Sequence, residues 1–185
     1  MNNPDDFHYL NLVLEGDVSA YRWLIEKYKG PSFSLAIRIL KNKEDAEDVV
    51  QEGFIRVYKS LRKFNRESSF ATWLYKIMYN QCIDRVRKKK VDLVDLKHAD
   101  QRTDNTYDQL ENENRDKIIG DIVNELPTEE NAIIRLFYEH DKDMKEIGVI
   151  TGLSHATVRK KISRSRNKIK HRLVEVLGEE AKDLI

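Results

Sequence analysis

Residues 144–173 read MKEIGVITGLSHATVRKKISRSRNKIKHRL. The pattern predicts a helix, a tight turn and a second, longer helix. Gly148 is a small residue at which two helices could cross closely. Thr151-Gly152-Leu153 supplies the turn, because glycine tolerates the left-handed backbone that ends a helix. Ser154 is placed as N-cap of the second helix. That helix keeps a narrow apolar stripe at Val158, Ile162, Ser165, Ile169 and Leu173, at spacings of four, three, four and four residues. The rest of it is basic: Arg159, Lys160, Lys161, Arg164, Arg166, Lys168, Lys170 and Arg172, with no acid among them. A capped helix N-terminus with cations along its exposed flank is the footprint of a helix lying in the DNA major groove. The plain alternative is a solvated lysine-rich helix. The coincidence of turn, cap and stripe with the basic run favours DNA.

Working outward, the chain of 185 residues is long enough for one domain or two small ones. Seven glycines, three prolines and 35% charged residues suit small helical bundles rather than a large sheet. No window approaches the ~20 apolar residues of a membrane span. The start, MNNPDDFHYL, is acidic and lacks the basic and apolar segments of a signal peptide. One cysteine, Cys82, excludes an internal disulfide, so a cytoplasmic protein is expected. The net charge of +1 hides segregation: the tail helix is basic and the stretch 91–116 is acidic. Local patches, not the total, decide nucleic-acid binding.

Taken in order, residues 6–15 read as a short helix with Phe7, Leu10 and Val13 or Leu14 inward. Residues 18–40 resume helical spacing, and Pro31 is expected to kink or interrupt them. In residues 43–62, Ala46, Val49, Val50, Gly53, Phe54, Val57 and Leu61 share one face. The other face carries Asp45, Asp48, Gln51, Glu52 and Ile55, either a dipole-matched acidic start or a docking face for a partner. After a polar loop at 63–69, residues 70–89 form a helix with an unusually wide apolar arc. Phe70, Leu74, Ile77 and Met78 lie in one sector, and Tyr75, Tyr79, Cys82 and Val86 in the next, so burial on two sides is implied. The remaining sector holds Trp73, Lys76, Asn80 and Arg87. An aromatic ring, an amide and two cations on one stripe suit unstacked bases; the alternative is that Trp73 is core and Asn80 plain surface. Cys82 reads as an inert small hydrophobe. Residues 116–126 carry Ile118, Ile119, Ile122, Val123 and Leu126. Pro127 stops that helix, and Thr128 is expected to cap the next one.

These residues carry a resemblance to the extracytoplasmic-function (ECF) sigma factors of the sigma-70 family. Asp45-Ala46-Glu47-Asp48-Val49-Val50-Gln51-Glu52, followed by Phe54, resembles the region-two helix that docks on the clamp helices of the RNA polymerase β′ subunit. Phe70-Ala71-Thr72-Trp73-Leu74, then Asn80, Asp84 and Arg87, resembles the helix that captures the −10 element. Leu126-Pro127, Glu146-Ile147-Gly148, Gly152-Leu153-Ser154, Thr157-Val158 and Arg164-Ser165-Arg166 resemble region four, whose helix-turn-helix reads the −35 element. The family usually has Ala where Gly148 stands and Gly where Ala156 stands. Its usual basic-Ser-Arg-Leu appears here as Arg159-Lys160-Lys161-Ile162. These departures bear on the −35 preference, not on the mode of binding.

The resemblance implies an all-α chain of two small helical domains joined by a flexible acidic linker. Residues 1–92 would be region two, 93–112 the linker and 113–185 region four. It implies −35 contacts from Ser154, His155, Thr157, Arg159, Lys160, Ser163, Arg164 and Arg166. It implies −10 capture and melting by Lys63, Phe64, Asn65, Phe70, Trp73, Lys76, Asn80 and Arg87. Polymerase docking falls to Asp45, Asp48, Gln51, Glu52 and Ile55, with a region-four contact to the β flap. The expected partners are core RNA polymerase, promoter DNA and an anti-sigma factor, for a chain that is monomeric when free. No catalytic residue, cofactor, metal or membrane insertion is expected. A stand-alone helix-turn-helix regulator is the alternative; it would dimerise and hold duplex DNA without polymerase. A nuclease is disfavoured because His8, His98, His140, His155 and His171 are scattered, and the acids at 45–52 are expected to face outward without a partner.

Overall fold

The computed structural model describes residues 4–95 and 114–178, with side chains for 5–89 and 117–178. Among the described residues the chain is entirely helical. In order come α1 (Pro4–Leu14), α2 (Ala20–Leu40), α3 (Lys43–Ser60) with a 3-10 turn at Leu61–Lys63, and α4 (Phe70–Asp95). Then follow α5 (Asn114–Glu125), α6 (Thr128–Tyr138), α7 (Met144–Thr151) and α8 (His155–Leu177).

α1 to α4 form a bundle. α2 lies against α1, α3 and α4, and α3 lies against α4. Leu10, Leu24, Leu35, Val49, Phe70, Leu74 and Met78 are sealed inside it. Buried polar groups set how the helices meet. Asp6, itself buried, accepts hydrogen bonds of 2.6 Å from Lys27 Nζ and Tyr28 Oη, fixing α1 on α2. Tyr21 Oη donates 2.7 Å to the carbonyl of Phe54, fixing α2 on α3. At Gly53, where α3 crosses α4, a Cβ would push on the end of the Met78 side chain, which would have to shift.

α2 does not break at Pro31; it runs as one helix from Ala20 to Leu40. A proline inside a helix costs about 3 kcal/mol. Leu24 and Tyr28 before it and Leu35 and Ile39 after it are all buried. Burying such side chains stabilises by roughly 1.5–3 kcal/mol each, which outweighs the defect. α3 is capped by Asn42, whose side chain accepts 2.9 Å from the Asp45 N–H. α4 continues to Asp95, three residues into the span expected to be linker. The rest of that span, 96–112, lies outside the described residues, as does His98.

α5 to α8 form the second unit. α6 is its centre, with Ala132, Ile133, Ile134 and Leu136 buried. Arg135 is also buried, which its charge gave no reason to expect. Its Nε donates 2.9 Å to Asn131 Oδ1, one guanidinium nitrogen reaches Asn124 Oδ1 at 3.0 Å, and the other pairs with Glu139. Asn131 in turn donates 2.7 Å to the carbonyl of Val123. A charge in the interior is tolerated because each of the three guanidinium nitrogens has a hydrogen-bond partner. Thr128 is not the N-cap of α6. Pro127 takes that position without a side-chain bond, and Thr128 is the first helical residue.

The opening motif folds as its residues dictate. Asp143 caps α7 in a reciprocal capping box with Glu146. Gly152 ends α7 in the left-handed region at φ +76°, and Ser154 Oγ accepts 3.2 Å from the Thr157 N–H to start α8. Gly148 is small for a different reason from a helix crossing: a Cβ there would lie 2.8 Å from the carbonyl oxygen of Leu153, so the turn itself needs the space. Val158, Ile162, Ser165 and Leu173 are buried and Ile169 half-buried, as the stripe requires.

The two units touch. α7 lies along α4, and α6 rests on α2. One cluster of buried apolar side chains runs through both. The wide apolar arc of α4 therefore finds its second partner in the other unit.

Candidate nucleic-acid interface

On α8 six of the eight Lys and Arg side chains sort into two sets. Those flanking the buried stripe are matched by acids: Lys161 with Glu129 at 2.7 Å, Lys168 with Glu130 at 2.7 Å, and Arg172 with Glu125 at 3.0 Å. Those on the outward face, Arg159, Lys160 and Arg164, are exposed and form no ion pair with any described residue. Ser163 is exposed between them. Ser154 and His155 stand exposed at the helix start, and Thr157 is half-buried with its hydroxyl 2.8 Å from that of Ser154. Arg166 is exposed but turned to the side, where its Nε donates 2.5 Å to Tyr138 Oη and its guanidinium lies 5.5 Å from the tyrosine ring. The structure thus brings seven of the eight expected residues onto one open face or its leading end, with Arg166 at the margin.

At the start of α4 the expected aromatics meet. Phe64 stacks on Trp73 with ring centres 5.0 Å apart, and Phe70 closes on both at 6.2 and 6.1 Å. Phe70 is fully buried, so it supports the other two rings from behind. Lys63, Asn65, Lys76, Asn80 and Arg87 are exposed. Trp73 is half-buried and Asn80 open, so the stripe is not sealed core. Two contributors were missed. Phe7 of α1 lies parallel to Phe64 at 6.5 Å, and Arg66 sits over Phe7 at 5.4 Å while donating 2.5 Å to Asn11 Oδ1. Phe7 was expected inward by helical spacing alone, which gives no hint of a distant loop ring. Arg66 adopts φ +61°, a left-handed conformation that a side-chain-bearing residue takes at some cost.

The acidic face of α3 is not unpartnered, contrary to the expectation from sequence. Arg85 of α4 reaches Asp45 at 3.2 Å, Asp48 at 3.9 Å and Glu52 at 3.8 Å, and Lys89 also pairs with Asp45. An arginine on a separate helix has no local signature that would reveal this. Asp45 is half-buried, whereas Asp48, Gln51 and Glu52 remain exposed. Solvent-exposed pairs of this kind are worth ~0–1 kcal/mol, so the outer acids stay available to a partner. Ile55 and Tyr58 are 48% and 40% exposed beside them, an apolar patch on an acidic helix.

Residues 24–91 match the family described as Sigma-70 region 2, and residues 116–169 match Sigma-70, region 4. The chain is 33% identical over 178 residues to the ECF RNA polymerase sigma factor SigW of Bacillus subtilis, spanning 87% of this chain and 92% of that protein. This chain is an ECF sigma factor. It is also 28% identical to the ECF RNA polymerase sigma-E factor of Haemophilus influenzae, over 87% of this chain and 91% of that one. Two solved structures share its fold. The sigma factor RpoE in complex with the anti-sigma factor NepR from Bartonella quintana superposes with a TM-score of 0.69 at 19% identity, covering 84% of this chain and 98% of that chain. CnrH in complex with the cytosolic domain of CnrY gives 0.66 at 21% identity, covering 94% and 99%.

The seam between the two halves of this sigma factor carries its own chemistry. Thr72 Oγ1 in the first turn of α4 donates 2.5 Å to Glu146 Oε1 of α7, and the Ser69 hydroxyl lies 3.3 Å from the same oxygen. Burial pushes the Glu146 carboxyl up, but the Thr72 bond and the Lys142 charge outweigh it and hold the group below the usual carboxylate range. Tyr75 Oη lies 3.3 Å from His140 Nδ1, and Lys142 stands 5.9 Å from the Tyr75 ring. His140 Nε2 is buried without a partner, and burial lowers the imidazole pKa. Burial pushes the Tyr79 phenol and the Cys82 thiol up to about 12 each, so Cys82 is an unreactive filler. Among the described residues no group of His, Cys, Asp and Glu could hold a metal ion, and no helix is long and apolar enough to cross a membrane.

Proposed function

We propose that this sigma factor binds core RNA polymerase in the cytoplasm, directs it to promoters with −10 and −35 elements and promotes strand opening, with no catalytic step of its own. The polymerase contact falls to the face of α3. Asp48, Gln51, Glu52 and Ile55 meet the β′ clamp helices, and Asp45 reinforces the charge from the side. Region four, including α8, adds the β flap. Arg159, Lys160 and Arg164 neutralise phosphates or reach base edges at −35, with Ser163 between them and Arg166 at the margin. His155 and Thr157 lie at the leading end with Ser154. Lys63, Phe64, Asn65, Trp73, Lys76, Asn80 and Arg87 hold the unpaired −10 strand over the buried Phe70. Stacking repays roughly 1–3 kcal/mol per base, comparable to the few kcal/mol lost on flipping one out, so opening needs the polymerase as well. The functional boundary lies in residues 93–112. An anti-sigma factor is a candidate partner, because both solved structures of like fold are complexes with one.

One observation supports this above all others: Arg159, Lys160 and Arg164 on the outward face pair with no acid among the described residues, while Lys161, Lys168 and Arg172 along one flank of the stripe each do. A helix charged merely for solubility has no reason to divide them so. Run-off transcription with core polymerase tests the proposal. Asn80→Ala should lose opening and keep recruitment to duplex, and Arg164→Ala should weaken recruitment severalfold yet transcribe a pre-melted template. Wild-type protein that opens promoter DNA alone, or fails to bind core polymerase, would overturn it.

A further inference from the structure

Phe7 sits where an unstacked base would sit. Its ring lies parallel to that of Phe64, at 8° and 6.5 Å between centres, and the Arg66 guanidinium covers its face at 5.4 Å. Splayed bases are held in the same way, stacked on an aromatic ring or on an arginine plane. Phe64 and Arg66 belong to the loop 64–69 that leads into α4, whereas Phe7 reaches them from α1. Nothing else on α1 belongs to the stripe proposed to face the strand.

Of the two rings on Phe64, Phe7 is the one free to leave. Trp73 stacks closer, at 5.0 Å, and is backed by the fully buried Phe70. Phe7 is half-buried, and what covers it is exposed: Arg66, whose guanidinium donates 2.5 Å to Asn11, itself exposed. The backbone beside Phe7 is fixed, because Asp6 is buried and bonded to Lys27 and Tyr28. Release is therefore a turn of one side chain between the two χ1 wells open to an aromatic residue in a helix, not a movement of α1. Arg66 holds φ +61°, so the loop accepts backbone strain at the residue whose guanidinium reaches that seat.

We propose that Phe7 is a placeholder in the base site: in the free chain it occupies the seat on Phe64 beside Arg66, and the extruded −10 base takes that seat by turning Phe7 out. The proposal rests on the strand-capture role above and adds the seat, its occupant in the free chain and the side chain that must yield. Phe7 is then a competitor of the strand rather than a wall of its site. Arg66 and Asn11 set how firmly the competitor is held. A pair of aromatic side chains is a weaker stack than a base on a ring, so the base prevails by a difference rather than by a whole stack.

The two roles give opposite orders in a series at position 7. The probe is a promoter fork, duplex upstream and unpaired across −10, with 2-aminopurine in the unpaired strand. Its affinity for the full chain with core polymerase is divided by that of the same fragment fully paired, which removes any change in recruitment. Phe7→Leu keeps apolar bulk but offers no flat ring, so the ratio should rise about threefold to tenfold, with deeper quenching of the 2-aminopurine. Phe7→Trp, a stronger stacker, should lower it about threefold. Asn11→Ala, which removes only the bond to Arg66, should raise it about twofold. A ratio that stays level or falls for Phe7→Leu overturns the placeholder, and a fall joined to a rise for Phe7→Trp would show Phe7 to be a wall. Helical circular dichroism checks the fold. Should Phe7→Leu lose that signal, Asn11→Ala decides alone, a rise supporting the exchange and no rise overturning it. A wild type that does not prefer the fork would sink the strand-capture reading and the exchange with it. A wild type that prefers the fork, with variants that match it, sinks the exchange only.

Discussion

The two faces proposed to meet nucleic acid, on α8 and at the N-terminal end of α4, are built in opposite ways. On α8, Arg159, Lys160 and Arg164 stand clear of acids, on a helix fixed by its cap, its stripe and three flanking ion pairs. Nothing must move for a duplex to meet them. On α4 the rings that would hold a base are already stacked on each other, with Phe64 between Phe7 and Trp73. An arriving base must displace a ring. On the proposed assignment, duplex recruitment is a docking event onto a ready surface, and strand capture is an exchange of one stacking partner for another. The exchange is near balance, which suits a step that should proceed only within a larger assembly.

The widest separation between the two sites comes from Trp73→Ala. It removes the platform and one wall of the ring cluster together, so strand opening should fall by up to about a hundredfold, matching the upper end of the stacking range. Permanganate reactivity of −10 thymines measures this, and duplex recruitment should be unchanged. Equal losses in both assays would mean that the ring cluster supports the bundle rather than the strand.

The next effect is Lys160→Ala with Arg164→Ala. Duplex affinity should drop about tenfold, and the slope of log affinity against log salt should shrink by about 1.8, because each phosphate contact contributes about 0.9. Transcription from a pre-melted template should be nearly untouched. An unaltered slope would show that these side chains meet no phosphate.

How much of this could be read in the sequence depends on distance along the chain. Gly152, Ser154 and the stripe from Val158 to Leu173 are local features, and they fold as their spacing demands. The double apolar arc of α4 correctly implied two coverings, though not that one of them is the other domain. What escaped was long-range. Arg85 on the α3 acids, Phe7 beneath Phe64, and Glu146 on Thr72 join separate elements up to 74 positions apart, and no periodicity encodes them. Of the two outcomes expected at Pro31, interruption does not occur: the local cost was legible, but the flanking burial that exceeds it was not. Thr128 lost the cap to Pro127 by one residue, within the span where helix ends blur.

A smaller effect sharpens the contrast between free and paired cations. Lys168→Ala breaks only the pair with Glu130, and exposed pairs are worth ~0–1 kcal/mol. Thermal stability should fall by no more than that, and DNA affinity by less than about twofold. A tenfold loss of affinity would erase the division of α8 into structural and DNA-facing charges.

A last effect is the response to pH of the contact between the two helical units. His140 is the seam group nearest neutrality, and burial lowers its pKa from the ordinary value of about 6.5. It faces Tyr75 from α4 and the uncharged Gly30, Pro31 and Ser34 from α2. From its own unit, Glu139 and Asp141 favour its protonation, and Lys142 and Arg135 oppose it. The closed form holds the imidazole neutral, so its contribution is whole above the separated-state value. It declines as pH falls through 6.5 and levels off below the lowered value. Glu146, also held below its usual range, acts in the same direction but at lower pH. Lowering pH from 7.5 to 5.5 should raise the open fraction a few-fold, read as an increase in radius of gyration. His140→Gln should be more open at pH 7.5 and flat across that interval. A variant that keeps the wild-type pH response would move the titration away from His140, to Glu146 or another group of the seam.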